Sequence, residues 1–313
     1  MRSYSLSAPA KINLYLQVVG DRPDGFHELI MVLQSIDLAD TVIVRPISVD
    51  GIRVRCDNPA VPQNQTNLAY RAAELMMQRF PEVYARFGGV EIELQKRIPM
   101  GAGLAGGSTD AAAVLVGIDL MWQLGLTQSE LQDLGAMLGS DVPFCISGGT
   151  AIATGRGEKL APLSNLDNAW VVLAKYRNLP VSTPWAYKTY RQQFGATYSS
   201  TPEDLNVQRH KPRAILDAIA HHDFGKIGQL LHNDLERVVL PEHPKVQDLR
   251  DRFQKLDVLG TMMSGSGSTV FAIVESPAQA QIIQAQMQAA IADPNLDFWI
   301  AKFNTSGVRL SEI

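Results

Sequence analysis

Cysteine is nearly absent: the 313-residue chain has two, Cys56 and Cys145. That is too few for a disulfide scaffold, and no C-x-x-C or Cys/His ligand spacing points to a structural zinc site. Aromatic residues make up 7%, and the cationic side chains are scattered under a net charge of −4. A nucleic-acid footprint needs a basic patch, so RNA or DNA binding is not expected. No apolar run reaches the roughly 20 residues of a membrane span, and Met1-Arg-Ser-Tyr-Ser-Leu6 lacks the apolar stretch of a secretory signal. A reducing cytoplasm is the expected compartment. What remains is an ordinary globular composition, 46% apolar and 19% charged, long enough for one large or two average domains.

Against that background one segment stands out. Residues 99–110 read Pro-Met-Gly-Ala-Gly-Leu-Ala-Gly-Gly-Ser-Thr-Asp and open into an alanine-rich helical run, Ala111 to Leu124. Glycines let the backbone approach a ligand and adopt positive φ. A helix starting at Ser108 would turn its unpartnered first N–H groups and the positive end of its dipole toward that ligand, which is a phosphate-binding arrangement. The letters also spell G-x-G-x-x-G, yet the dinucleotide form is disfavoured. Gln95 to Met100, with Pro99, separates the loop from strand Val90–Leu94, and Asp119 falls inside the helix rather than at a strand end. No H-R-D or Gly-Lys-Ser/Thr occurs, and the D-F-G at Asp223-Phe224-Gly225 has no H-R-D before it, so neither a protein-kinase site nor a Walker loop is present.

Alternation and turn residues predict strands at Tyr4–Ala8, Ile12–Val19, Thr41–Pro46, Ile52–Cys56, Val90–Leu94 and Thr150–Ala153. Helices are predicted at Asn67–Phe80, Ser108–Gln123 and after the capping box Thr127-Gln-Ser-Glu130, ending at Gly139. Residues 162–168 mark a boundary, giving expected domains at 1–163 and 164–313. Beyond it come strand Ala169–Lys175 and a helix capped by Thr183 with Pro184 in its first turn. A polar loop at Arg191–Arg213 and short helices at Ala214–Ala220, Phe224–Leu231, Leu235–Val239 and Lys245–Lys255 follow. Strands Val258–Met262, Val270–Val274 and Asp297–Phe303, with helix Pro277–Ala290, complete a β-α-β-β-α-β order.

Three segments carry chemistry together: Pro9-Ala-Lys11-Ile-Asn13-Leu with Arg22-Pro-Asp-Gly-Phe-His27-Glu-Leu, the glycine loop, and Ser264-Gly-Ser-Gly-Ser-Thr269. This ordered trio resembles the three motifs of the GHMP small-molecule kinases, over about Ser7 to Ala272. The resemblance implies an α+β, two-domain fold: a ribosomal-protein-S5-like α/β domain, then a ferredoxin-like split βαβ domain. A ribosomal-protein-like half alone would admit an RNA-binding module, which the negative charge opposes. The first motif is similar to the branch whose acceptor is 4-diphosphocytidyl-2-C-methyl-D-erythritol, phosphorylated by ATP on its tertiary 2-hydroxyl in non-mevalonate isoprenoid synthesis. Homoserine or mevalonate is the competing acceptor class.

The resemblance also assigns roles. Asp141, in Leu138-Gly-Ser-Asp-Val-Pro-Phe144, matches the base that accepts the hydroxyl proton, and Lys11 its electrostatic partner. Read locally, the same residues are a turn-forming Asp and a solvated strand-end Lys. Pro99, Gly101, Ala102, Gly103, Leu104, Ala105, Gly106, Gly107, Ser108 and Thr109 match the ATP loop, and Lys96 and Asn67 match positions near the adenosine, although each suits an ordinary surface. Asn13, Phe26, His27 and Tyr187 match the acceptor pocket, where Phe26 replaces a more usual Tyr; core packing is the alternative for both rings and a structural role for His27. Gly265 and Ser266 could cover substrate phosphates, brace the glycine loop, or form a simple hairpin turn. Mg²⁺ should ride on the phosphates, with no dedicated protein ligand. Ala105 stands where Gly is more frequent, and an alanine is cheap there only at negative φ. His221, His222, His232 and His243 read as surface residues, and Arg156 and Lys159 form no patch.

Overall fold

The computed structural model describes residues 2–198 and 211–311. Its spine is a long antiparallel hairpin, β1 (Tyr4–Asp21) and β2 (His27–Ile47). The predicted strands Tyr4–Ala8 and Ile12–Val19 merge, because pairing continues through irregularities at Pro9/Lys11, Asn13/Tyr15 and Val18/Gly20. The first half of β2 escaped prediction: it is buried on both faces and so shows little alternation. On β1 the two-residue period sends Ala10, Ile12 and Leu14 into a core and turns Lys11 and Asn13 to the other face.

β3 (Ile52–Cys56) leads to α1 (Leu68–Arg79), whose N-cap Asn67 accepts from the Ala69 N–H. The short α2 (Pro81–Phe87) precedes β4 (Gly89–Gln95), which pairs antiparallel with β2 and parallel with β3. Next comes α3 (Gly106–Trp122), starting two residues before Ser108 with Ala105 as its N-cap. Glycine costs little in a first turn whose N–H groups have no intrahelical partner anyway. Small residues bring α3 close to the sheet: a Cβ on Gly117 would lie 2.7 Å from Val44 Cγ2. The capping box Thr127/Glu130 opens α4 (Gln128–Leu138), which Gly139 ends as expected. An unpredicted helix, α5 (Val142–Ser147), follows Asp141, and β5 (Thr150–Gly155) pairs with β2 and with β6 (Lys159–Pro162).

The second half contains β7 (Trp170–Tyr176), α6 (Thr183–Phe194), α7 (Arg213–Ala220), α8 (Phe224–Gln229) and β8 (His232–Asn233). It continues through α9 (Glu236–Glu242), α10 (Pro244–Phe253), β9 (Gly260–Met263), β10 (Val270–Val274), α11 (Pro277–Ala290), β11 (Leu296–Asn304) and β12 (Arg309–Leu310). Strand order β11-β7-β10-β9, all antiparallel, is the split βαβ arrangement read from the sequence. Ser182, not Thr183, caps α6, accepting from the Trp185 N–H. Part of the expected loop 191–213 is helix, since α6 runs to Phe194; residues 199–210 lie outside the described residues.

The sheet is continuous. β11 meets β2 at Phe303↔Ile36 and Asn304↔Ser35, while β12 and β8 flank β1. One buried cluster belongs to the first half, around α3. The other two combine residues from both sides of position 163: Leu16, Leu33 and Phe144 pack with Val172 and Phe253, and Ile12 and Ile36 with Val171 and Phe271. Among the described residues no helix is long and apolar enough to cross a membrane.

Candidate active site

The three sequence segments meet through their backbones. The Lys11 N–H, freed by the β1 irregularity, donates to Leu104 O at 3.2 Å, and Ser264 Oγ donates to Gly103 O at 3.0 Å. Gly103 has φ +71, and a Cβ there would fall 2.0 Å from Ser264 O. Only glycine fits that joint. Asn233, which carries no sequence signal, donates from Nδ2 to Met263 O and Gly265 O, both at 2.8 Å. Gly265 and Ser266 thus sit on a loop braced against the glycine loop, and Ser266 Oγ also meets Thr183 Oγ1 at 2.7 Å. Because Ser182 takes the capping position, the Thr183 hydroxyl is left for this cross-link.

A cavity of about 860 Å³ opens along these segments. Lys11, Asn13, Ser140 and Asp141 line it, with Gly265 and Ser266. Lys11 Nζ donates to Asn13 Oδ1 at 2.8 Å and lies 3.7 Å from Asp141 Oδ2; the lysine side chain is 6% exposed and the aspartate 30%. Although Asp141 occupies the N-cap position of α5, its side chain makes no capping hydrogen bond. The carboxylate therefore faces Lys11 and the cavity, while its backbone lies in the turn that the Val142 N–H closes on Gly139 O.

Pro99, Gly101, Ala102, Gly103, Leu104, Ala105, Gly106, Gly107 and Ser108 all line the same cavity, at the N-terminus of α3. Thr109 does not: it is fully buried, one residue further into the helix. Ala105 adopts φ 60 and ψ 27. The left-handed conformation costs an L-residue roughly 1–2 kcal/mol, so the alanine is held there against its preference. Asn67 lines the cavity too, but its side chain is engaged by the Ala69 N–H and by Pro62 O, 2.6 Å from Nδ2. Lys96 is no ordinary surface residue. Its ammonium lies buried between Asp40 and Asp110, 2.5 Å from the latter's Oδ2, and reaches Gly106 O at 3.5 Å. Asp40 in turn accepts from the Arg97 and Ile98 N–H groups. Burial raises the Asp110 carboxyl above its usual range, against the pull of Lys96, while the two carboxylates outweigh desolvation and raise Lys96.

Phe26, His27 and Tyr187 form an aromatic slot on the cavity wall. Phe26 is 49% exposed, with the Arg156 guanidinium 5.0 Å over its ring, so it is not a core residue. His27 is buried, its ring tilted against Tyr187 at 5.1 Å, and its Nε2 makes no hydrogen bond among the described residues. Desolvation, helped by Arg191, lowers the His27 pKa, with Asp21 opposing. Burial raises the Tyr187 phenol, and the Asp141 carboxylate adds to it. Sequence reasoning passed over Arg156 and Arg191, both of which line the cavity. The only trace of Arg156 is its place between Gly155 and Gly157, both at positive φ, which present it at a turn. The histidines at 221, 222, 232 and 243 lie outside the cavity lining.

A glycine loop ending on a helix N-terminus, beside a Lys–Asp pair in a two-part α+β fold, defines a small-molecule kinase. Residues 67–149 match the GHMP kinases N terminal domain and residues 215–293 the GHMP kinases C terminal domain. The chain is 61% identical to a 4-diphosphocytidyl-2-C-methyl-D-erythritol kinase of Trichodesmium erythraeum, over 99% of this chain and 100% of the relative. It is also 61% identical to one of Nostoc punctiforme, over 99% of each. A crystal structure of 4-(cytidine 5'-diphospho)-2C-methyl-D-erythritol kinase superposes with a TM-score of 0.73 at 34% identity, covering 96% of this chain and 99% of that one. Homoserine kinase from Cytophaga hutchinsonii gives 0.77 at 19% identity, over 99% and 98%, and so shares the fold. The chain belongs to the 4-diphosphocytidyl-2-C-methyl-D-erythritol kinases within the GHMP kinases, an ATP-using enzyme family.

Proposed function

We propose that the chain phosphorylates the 2-hydroxyl of 4-diphosphocytidyl-2-C-methyl-D-erythritol with ATP, using Asp141 as base and Lys11 as its electrostatic partner. The observation that carries this reading is the Lys11–Asp141 pair, 3.7 Å apart, in the same cavity as the α3 N-terminus. A tertiary alcohol attacks only as its proton leaves, and Asp141 is placed to take it. The Lys11 ammonium, fixed by Asn13, lies beside that carboxylate and stabilises the charge that develops on transfer. Gly101 to Ser108 hold the nucleotide phosphates against the first amides of α3. Thr109, buried in the first turn of α3, is not placed to touch them. Lys96 and Asn67, on the cavity wall, would lie near the adenosine.

Among the described residues no group of three or more His, Cys, Asp or Glu side chains could form a metal cage. An Mg²⁺ ion carried mainly by the nucleotide phosphates would neutralise their charge. The slot of Phe26, His27 and Tyr187 suits a flat base: two rings offer π faces, and His27 Nε2 is a polar atom that makes no hydrogen bond among the described residues. Phe26 stacks as Tyr would but makes no hydroxyl contact. Gly265 and Ser266 hold the loop that closes the acceptor side. The test is ADP release from ATP and Mg²⁺, with the cytidyl acceptor run beside homoserine, mevalonate and galactose. Turnover restricted to the cytidyl acceptor is expected, with loss on EDTA and recovery on added Mg²⁺. Turnover of homoserine or mevalonate instead would discard the cytosine slot and leave the fold and phosphate loop standing.

A further inference from the structure

Phe26 and His27 reach the slot from the β1–β2 hairpin, whereas Tyr187 reaches it from α6. These elements are distant in sequence, so something must fix how they sit against each other. The hairpin tip is internally closed: Arg22 N–H donates to Phe26 O at 2.9 Å, Gly25 N–H to Arg22 O at 3.1 Å, and Phe26 N–H to Asp24 Oδ1 at 3.1 Å. It therefore moves as a unit. Arg191 lies one helical turn beyond Tyr187 on the same face of α6. Its Nε donates to Asp21 Oδ1 at 2.7 Å and its Nη2 to Gly25 O at 3.3 Å. One side chain thus grips the hairpin at two points, the end of β1 and the turn itself, from the helix that supplies Tyr187.

We infer that Arg191 is a positioning residue that sets where the β1–β2 hairpin, with Phe26 and His27, sits against Tyr187 on α6 at the acceptor slot. This rests on the reading that the slot takes the cytosine of the acceptor. The ion pair is exposed on both sides, 39% and 48%, so its contribution to stability is small. Its effect belongs in acceptor recognition. The guanidinium also bears on the charge of His27. The groups facing that ring are Asp21 on β1, Arg191 and Tyr187 on α6, and Tyr198 beyond it. Arg191 opposes protonation of His27 and Asp21 favours it.

The experiment is steady-state kinetics of the full chain with the cytidyl acceptor, for wild type, Arg191→Gln, Arg191→Lys and Asp21→Asn, across pH. Arg191→Gln is expected to raise the acceptor KM about tenfold, with kcat, the ATP KM and the melting temperature near wild type. Arg191→Lys keeps the charge without the two-point fork, and should restore KM only in part. The acid limb of kcat/KM for the acceptor should move to higher pH in Arg191→Gln, since His27 then protonates more easily. In Asp21→Asn it should move to lower pH, although KM rises there too. A merely structural role cannot produce limbs that move in opposite directions. An unchanged acceptor KM in Arg191→Gln, or limbs moving the same way, would overturn the positioning role. A wild type inactive on the cytidyl acceptor would overturn the slot reading itself, which the wild-type control shows separately.

Discussion

At the scale of single residues, position within the fold decides what each side chain is free to do. Asp141 stands at a helix start where aspartate ordinarily caps, yet makes no capping bond and faces Lys11 at 3.7 Å instead. Asp141→Asn keeps the shape and removes the proposed base. It is expected to lower kcat by about 10²–10⁴-fold while nucleotide affinity, measured by titration, stays near wild type. Full turnover in that variant would remove Asp141 from its role. Ala105 is the converse case, an ordinary residue in an unfavourable backbone region at φ 60. Replacing it with glycine relieves left-handed strain but loosens the unfolded chain, two terms of similar size. The strain term is the larger, so Ala105→Gly should stabilise the protein by about 0.5 kcal/mol, read as a higher denaturant midpoint. A lower midpoint would show that the Ala105 methyl, packed beside the α3 cluster, matters more than its backbone.

Between elements, the glycine loop is held from two sides. On one side Gly103 meets Ser264 with no room for a Cβ. On the other, the triad Asp40–Lys96–Asp110 ties β2, the segment after β4 and the first turn of α3. Lys96 is 6% exposed and compensates two carboxylates, both almost fully buried. Lys96→Met would strand them and is expected to cost about 3–5 kcal/mol, with part recovered in the Lys96→Met/Asp110→Asn double variant. A single variant as stable as wild type would mean that water reaches the carboxylates. The triad also has a pH signature. Burial raises the folded pKa of Asp110 above its unfolded value. Its contribution to stability is therefore present below the ordinary carboxylate pKa and is lost as pH rises through the raised value. Asp110→Asn should flatten that part of the stability–pH curve, measured by denaturant titration; an unchanged slope would place the proton elsewhere.

For the whole molecule, the boundary proposed at 163/164 separates two sequence units whose buried clusters do not separate. Two of the three cores draw residues from both sides, and β11 joins the second unit to β2 in one sheet. Calorimetry is expected to show one cooperative transition for the chain, and two well-spaced transitions would show that the halves fold alone.

Much of this was legible in the sequence, because it is local. Strands Ile52–Cys56 and Val270–Val274 and helix Pro277–Ala290 lie where alternation and capping place them. The glycine loop, Lys11, Asn13 and Asp141 were marked by motif, and motifs are short runs of chain. Other features left no local trace. Half of β2 is buried on both faces and so lacks a period, while α2 and α5 are too short for one. Asp40, Arg156, Arg191 and Asn233 gain their roles only from partners far away in sequence. The sequence by itself determined most elements, the glycine loop and the choice of Lys11 and Asp141 as candidates, since backbone propensity and residue chemistry act within a few positions. The tertiary structure alone decided which carboxylates Lys96 neutralises, that Thr109 faces inward, and what holds the aromatic slot. Those outcomes depend on distances that exist only once strands and helices have packed.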